Sequence, residues 1–173
     1  MNGMRKLAVA FWILSLLVPC AGQKDKDTRA PDLSGKWILD TSKSKFDSKG
    51  RGSAYISTVL VISHNEPELR IIRTFISKGR EQSEELTYYT DGRGETNKLA
   101  FTIRDLKTRT RWEKGNLVSK WTWTSDIGND NLFTDGHERR EMSADGRVLA
   151  ITYSISGISG LILLKLVFNR DSK

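Results

Sequence analysis

The chain has 173 residues, of which 28 are Lys or Arg and 21 are Asp or Glu, for a net charge of +7. That length fits one compact domain, since domains run about 100 to 150 residues. A hydrophobic share of 38% beside 28% charged residues is ordinary globular composition, which excludes a disordered or fibrous chain, and a single Cys excludes a disulfide-stapled scaffold.

At the N-terminus Arg5 and Lys6 precede an apolar run, Leu7 to Val18, broken only by Ser15 and followed by Pro19, Cys20, Ala21 and Gly22. A basic start, a short apolar stretch and small residues at its end read as a signal peptide over residues 1–22. The run is shorter than the ~20 residues a membrane span needs. The expected location is therefore exported, either periplasmic or secreted. Cleavage after Gly22 discards Cys20. A rival reading makes Leu17-Val18-Pro19-Cys20 a lipoprotein box that anchors the chain through lipidated Cys20, although Pro19 replaces the usual Gly or Ala. Loss of Arg5 and Lys6 lowers the net charge by two, and the remaining excess favours anionic partners or surfaces without bearing on fold. Residues 23–32, largely charged and without periodicity, read as a flexible lead-in. Residues 33–173 form the domain.

From Leu33 onward no stretch carries the i, i+3, i+4, i+7 apolar pattern of a helix. Short β-branched and aromatic runs predict strands instead. They lie at Trp37–Asp40, Tyr55–Ser63, Leu69–Ser77, Glu84–Thr90, Leu99–Ile103, Thr108–Trp112, Leu117–Thr124, Leu132–Met142, Val148–Ile155 and Leu161–Phe168. Between them stand turn formers such as Lys78-Gly79, Asp91-Gly92-Arg93-Gly94, Lys114-Gly115-Asn116, Asp145-Gly146 and Ser156-Gly157. So long a meander leaves two unpaired edges unless it closes, and closure points to an all-β antiparallel up-and-down barrel of roughly 8 to 10 strands. A two-sheet sandwich is the competing architecture.

Alternation along each strand predicts the barrel's interior. Leu117, Ser119, Trp121 and Trp123 share one face, as do Leu149, Ile151, Tyr153 and Ile155, and as do Thr108, Thr110 and Trp112. Parity continuing from Met142 turns Arg140, Glu138 and Thr134 inward. The last strand is apolar on both faces except at Lys165, so a covering segment is expected, with Ser42 to Gly52 nearest.

Leu33-Ser34-Gly35-Lys36-Trp37 carries a Gly-X-Trp at the start of the first strand. It continues as WILDTSKSKF and is followed by YYTDGRGETN, TRWEKGNLV, ERREMSADGRVLAI and KLVFNR. From Leu33 to Arg170 the chain resembles lipocalin-like (calycin-type) exported bacterial proteins of uncharacterised function. Two departures stand out: Arg93-Gly94 lengthens a hairpin, and Arg140 stands where those sequences carry an aromatic. The resemblance implies that Trp37 plugs one barrel end beneath Arg170 through a cation–π contact, worth ~0.5 to 2 kcal/mol.

The candidate ligand-binding residues are Arg140, Glu138, Trp112, Trp121, Trp123, Tyr88 and Tyr153. A guanidinium inside an apolar barrel needs a partner. Glu138 supplies one as a plain ion pair, or Arg140 meets the carboxylate of a fatty-acid-like ligand. The aromatics either line a cavity or fill the barrel. His64 and His137 come with no Cys or clustered carboxylate at ligand spacing, so no metal or cofactor is expected. Ser156-Gly157-Ile158-Ser159-Gly160 lies between strands with no following helix and reads as a turn, not a nucleophile elbow. The basic cluster Arg104, Lys107, Arg109, Arg111 and Lys114 reads as a solvated strand face. Export argues against nucleic acid as a partner. The sequence thus predicts a non-catalytic exported barrel that binds a small apolar or amphiphilic, possibly anionic, molecule. The alternative is a structural or protein-interaction barrel with a solid core, meeting its partner through Leu161, Leu163 and Val167.

Overall fold

The computed structural model describes residues 30–51, 56–100, 105–127, 130–157 and 160–172, with the side chains at 123–127 and 130–134 outside that description. The expected leader and the lead-in up to residue 29, with Cys20, Arg104 and the side chains of Trp123 and Thr134, therefore lie outside the described residues.

Ten antiparallel strands follow one another: β1 Gly35–Leu39, β2 Ser57–Asn65, β3 Glu68–Ser77, β4 Arg80–Tyr89, β5 Glu95–Lys98, β6 Asp105–Glu113, β7 Asn116–Ile127, β8 Asp130–Met142, β9 Val148–Gly157 and β10 Gly160–Arg170. They form one sheet in the order β4-β3-β2-β1-β10-β9-β8-β7-β6-β5. Consecutive strands pair except β4 with β5, which stand at the two ends of that order, and β1 pairs with β10 with Trp37 opposite Arg170. This is an up-and-down, nearly closed barrel. Alternation sends Leu60 and Ile62, Leu69 and Ile71, Leu86 and Tyr88, and Leu149 through Ile155 into a shared core, while Arg109, Arg111 and Lys120 stay outside. Both parity assignments on β6 and β7 follow the sequence pattern.

The seam between β4 and β5 has no backbone ladder. Side chains bridge it instead. The Asn97 amide accepts from the Thr87 N–H at 2.8 Å and donates to the Thr87 carbonyl at 2.8 Å, imitating one rung of a strand. Glu95 accepts from the Tyr89 N–H at 3.3 Å, and Glu84 accepts from the Ala100 N–H. Of the strand expected at Leu99–Ile103, Leu99 and Ala100 are not in a strand, and residues 101–103 lie outside the described residues. The fifth strand is the polar Glu95-Thr96-Asn97-Lys98, whose inward side chains hydrogen-bond across the gap where apolar ones would pack.

Residues 40–51 run along β10, with Lys45 and Lys165 exchanging backbone hydrogen bonds at 2.7 and 2.9 Å and the Ser44 hydroxyl accepting from the Val167 N–H. Val167 is buried as a result, which removes it from the outer patch expected with Leu161 and Leu163. Those two leucines remain exposed.

Candidate ligand-binding site

At one end of the barrel Trp37 is fully buried and donates its indole N–H to the Leu33 carbonyl at 3.0 Å. The Arg170 guanidinium lies 4.3 Å from the Trp37 ring centroid and donates to the carbonyls of Ser34 and Gly146 at 2.6 and 2.8 Å. Gly35 makes this possible twice over. Its φ of +132° suits only glycine, and a Cβ there would stand 2.9 Å from Arg170 Nη1. The Gly-X-Trp plug and its arginine are thus in the arrangement that the resemblance implies.

Further along the strands the interior changes character. Glu138 and Arg140 on β8 face inward two residues apart, with 2.7 Å between Arg140 Nη2 and Glu138 Oε1. Arg73 on β3 pairs with Glu84, its cross-strand neighbour on β4. All four are buried, together with Tyr88 and Tyr153. The Arg140 guanidinium lies 4.5 Å over the Tyr88 ring and donates to the Ser119 hydroxyl at 3.0 Å. Ser119 lies 2.9 Å from the Thr110 hydroxyl, which reaches Glu95 at 2.8 Å. A buried polar chain therefore runs from the cluster to the β4–β5 seam.

The electrostatics follow from burial. Desolvation raises the Glu138 carboxyl above the usual carboxylate range, against the pull of Arg140 and Arg73. It also lifts the Tyr88 phenol to about 12, helped by Glu138, and carries Tyr153 well above its ordinary value. Burial works against the charge on Arg140, yet Glu138 and the two phenols outweigh it and hold the guanidinium above its usual value. Not every polar atom of the cluster is fully satisfied. Arg140 Nε has no hydrogen-bond partner among the described residues, and Glu138 Oε1 has only its ion contact.

Two internal voids flank this cluster, each of about 10 Å³, room for about one water molecule. Both are walled by Arg73, Leu86, Tyr88, Glu138 and Tyr153. The first is otherwise lined by Leu99, Leu106 and Trp121, so one half is apolar and the other charged. Trp121 fits because its cross-strand partner is Gly136, where a Cβ would come within 2.1 Å of the indole.

Of the residues expected to gather here, Arg140, Glu138, Tyr88, Tyr153 and Trp121 do. Trp112 does not: at the far end of β6 it is half-buried and donates its indole N–H to Glu66 at 2.7 Å, with the His64 ring 6.0 Å away. That corrects its placement as a cavity wall, because Glu66 draws the indole to the strand end. Arg73 and Glu84 were missed, although they share inward parity with Ile71 and Phe75 and with Leu86 and Tyr88. Among the described residues no cluster of His, Cys, Asp and Glu could hold a metal ion. A cavity of about 590 Å³ opens on the outer face of β6 to β9.

The sequence matches no family model and no curated protein. Among solved structures it is similar to the zebrafish ileal bile acid-binding protein complexed with cholic acid, with a TM-score of 0.52 at 16% identity, over 80% of this chain and 98% of that one. At that identity the likeness shows the fold alone, an all-β antiparallel barrel.

Proposed function

We propose that the chain is a non-catalytic binding protein for a small anionic amphiphile, held inside the barrel with its acid group on Arg140 and Arg73 and its apolar part among Leu86, Leu99, Leu106 and Trp121. Read with the leader over residues 1–22, it would do so as an exported protein. The carrying observation is the buried charge. Two ion pairs in an apolar interior cost more desolvation than well-packed hydrophobic residues would, and a barrel built only to stand has no use for them. Arg140 Nε supplies an unmet donor at the void, which a carboxylate would satisfy through a charge-assisted bond. The two voids share five wall residues, so displacing one or two side chains merges them. The neighbour's bile acid is likewise an amphiphile, which supports the class of ligand.

A second reading rests on the voids themselves. At about 10 Å³ each they are far below the ~300 Å³ of a typical ligand pocket, which favours a filled barrel acting as a scaffold. Titration calorimetry with a medium-chain fatty acid and the alcohol of equal length separates the two. The acid should bind the parent protein, and the Glu138→Leu/Arg140→Met double variant should lose at least about tenfold for the acid alone. Equal affinity for the acid in parent and variant would overturn the proposed role of Arg140. Failure of the parent to bind either compound would leave the scaffold.

A further inference from the structure

Independently of the interior, we infer that the outer face of β6 to β10 docks onto the surface of an anionic lipid membrane, with a phosphate headgroup in the outer groove and two leucines inserted beside it. The strand register sets out this face in rows. One row runs Arg109, Lys120, His137, Ser154 and Leu163, and the next runs Lys107, Thr122, Asp135, Ser156 and Leu161. All have outward parity. β6 and β7 carry the long cations, β8 carries His137 and Asp135, β9 carries Ser154 and Ser156, and β10 presents its leucines. From β6 to β9 these rows line the groove of about 590 Å³: the cations Lys107, Arg109 and Lys120 outnumber the one carboxylate, Asp135, which accepts from the Thr122 hydroxyl at 2.9 Å.

Two observations make the occupant a membrane. Leu161 and Leu163 are 54% and 58% exposed, two residues apart on the outward face of one strand; residues 40–51 bury Val167 and meet the Leu161 carbonyl through Arg51 at 3.3 Å, yet leave both leucine side chains exposed. Lys107, Arg109 and Lys120 have no ion-pair partner among the described residues, unlike Arg111 and Arg139 nearby, which pair with Glu113 and Glu141 at 2.7 and 2.9 Å. Cations beside an exposed apolar ridge match a bilayer's anionic headgroups above its acyl chains. Neither signal suffices alone, because weak membrane association becomes stable when electrostatic attraction and apolar insertion act together. A soluble anion would use the cations but leave the leucines in water.

Sedimentation of the full chain with vesicles of phosphatidylcholine, with and without phosphatidylglycerol, tests this. The protein should pellet only with the anionic vesicles, and less as salt screens the attraction over a Debye length of about 8 Å. The Arg109→Glu/Lys120→Glu variant should lose at least about tenfold in vesicle affinity. Leu161→Ser/Leu163→Ser should weaken binding with the charge unchanged. Lys78→Glu/Arg80→Glu, on the β3–β4 hairpin across the barrel, should bind as the parent does. All six positions are exposed, and unchanged thermal unfolding checks that each variant folds. Equal pelleting with neutral vesicles would overturn the inference, as would parental binding by the leucine variant or an equal loss in the hairpin variant.

Discussion

At the Trp37 end of the barrel the buried indole has its N–H on the Leu33 carbonyl, and Arg170 lies over the ring with its own donors on backbone carbonyls. Around Arg140, in the same interior, two arginines, two glutamates and two phenols are buried together, and a guanidinium nitrogen lacks a hydrogen bond among the described residues. The first region is built for packing and the second is not. Their difference locates where stability and recognition have been separated along one set of strands: the plug holds the barrel, and the charged cluster keeps chemical identity inside it at an energetic cost.

The largest effect should come from removing the plug. Trp37→Ala deletes the largest of the fully buried side chains, so it should cost about 3 to 5 kcal/mol by the transfer and cavity terms, with the contact to Arg170 lost as well. Urea unfolding measures this. A cost below about 1 kcal/mol would mean that the end can collapse around the gap, and the distinction between the two regions would fail.

The charged cluster should answer differently to single and paired changes. Arg140→Met leaves Glu138 buried without its cation and should cost up to about 3 kcal/mol. Glu138→Leu/Arg140→Met should return to within about 1 kcal/mol of the parent or exceed it, because neither charge is left stranded. The single variant has a pH signature. Glu138 is already raised by desolvation, and without Arg140 it rises further. A raised carboxyl contributes stability that is present in full below its unfolded value and lost as pH rises through its folded one. The penalty of Arg140→Met should therefore grow from acid toward neutral pH. A pH-independent penalty, or a double variant as unstable as the single, would show that the cluster is structural after all.

Much of this division is legible in the sequence. Period-2 alternation is strong wherever one face meets the core, so strands such as Leu117–Thr124 and Val148–Ile155 can be read directly, as can the inward turn of Glu138 and Arg140. The plug carries its own signature in Gly35 and Trp37. What resists reading is whatever replaces apolar packing with polar bonds. β5 has no apolar alternation, since Glu95 and Asn97 face inward to bridge a seam, and the neighbouring Leu99 imitates a strand start. Trp112 has the right parity but is drawn to Glu66, a partner 46 residues away that alternation along one strand cannot reveal. Arg73 and Glu84 each look like an exposed charge until two neighbouring strands are put in register. Burial of Val167 depends on how far residues 40–51 follow β10, which their composition does not specify.

The smallest effect is spectroscopic, and it probes the cluster without disturbing it. Tyr88 is raised from an ordinary 10.0 to about 12, and Tyr153 moves the same way because the same desolvation acts on both. A phenol raised in the folded state contributes stability in full below its unfolded value and loses it as pH rises through the folded one. The fold should thus lose stability between about pH 10 and 12. Absorbance titration of the parent should show these two phenols resisting ionisation until the barrel opens. The Glu138→Leu/Arg140→Met variant removes both a charge that raises Tyr88 and a charge that lowers it, leaving burial in place, so both phenols should still titrate late. Ordinary titration of either phenol in the parent would mean that water reaches the cluster freely, and the contrast with the dry Trp37 end would disappear.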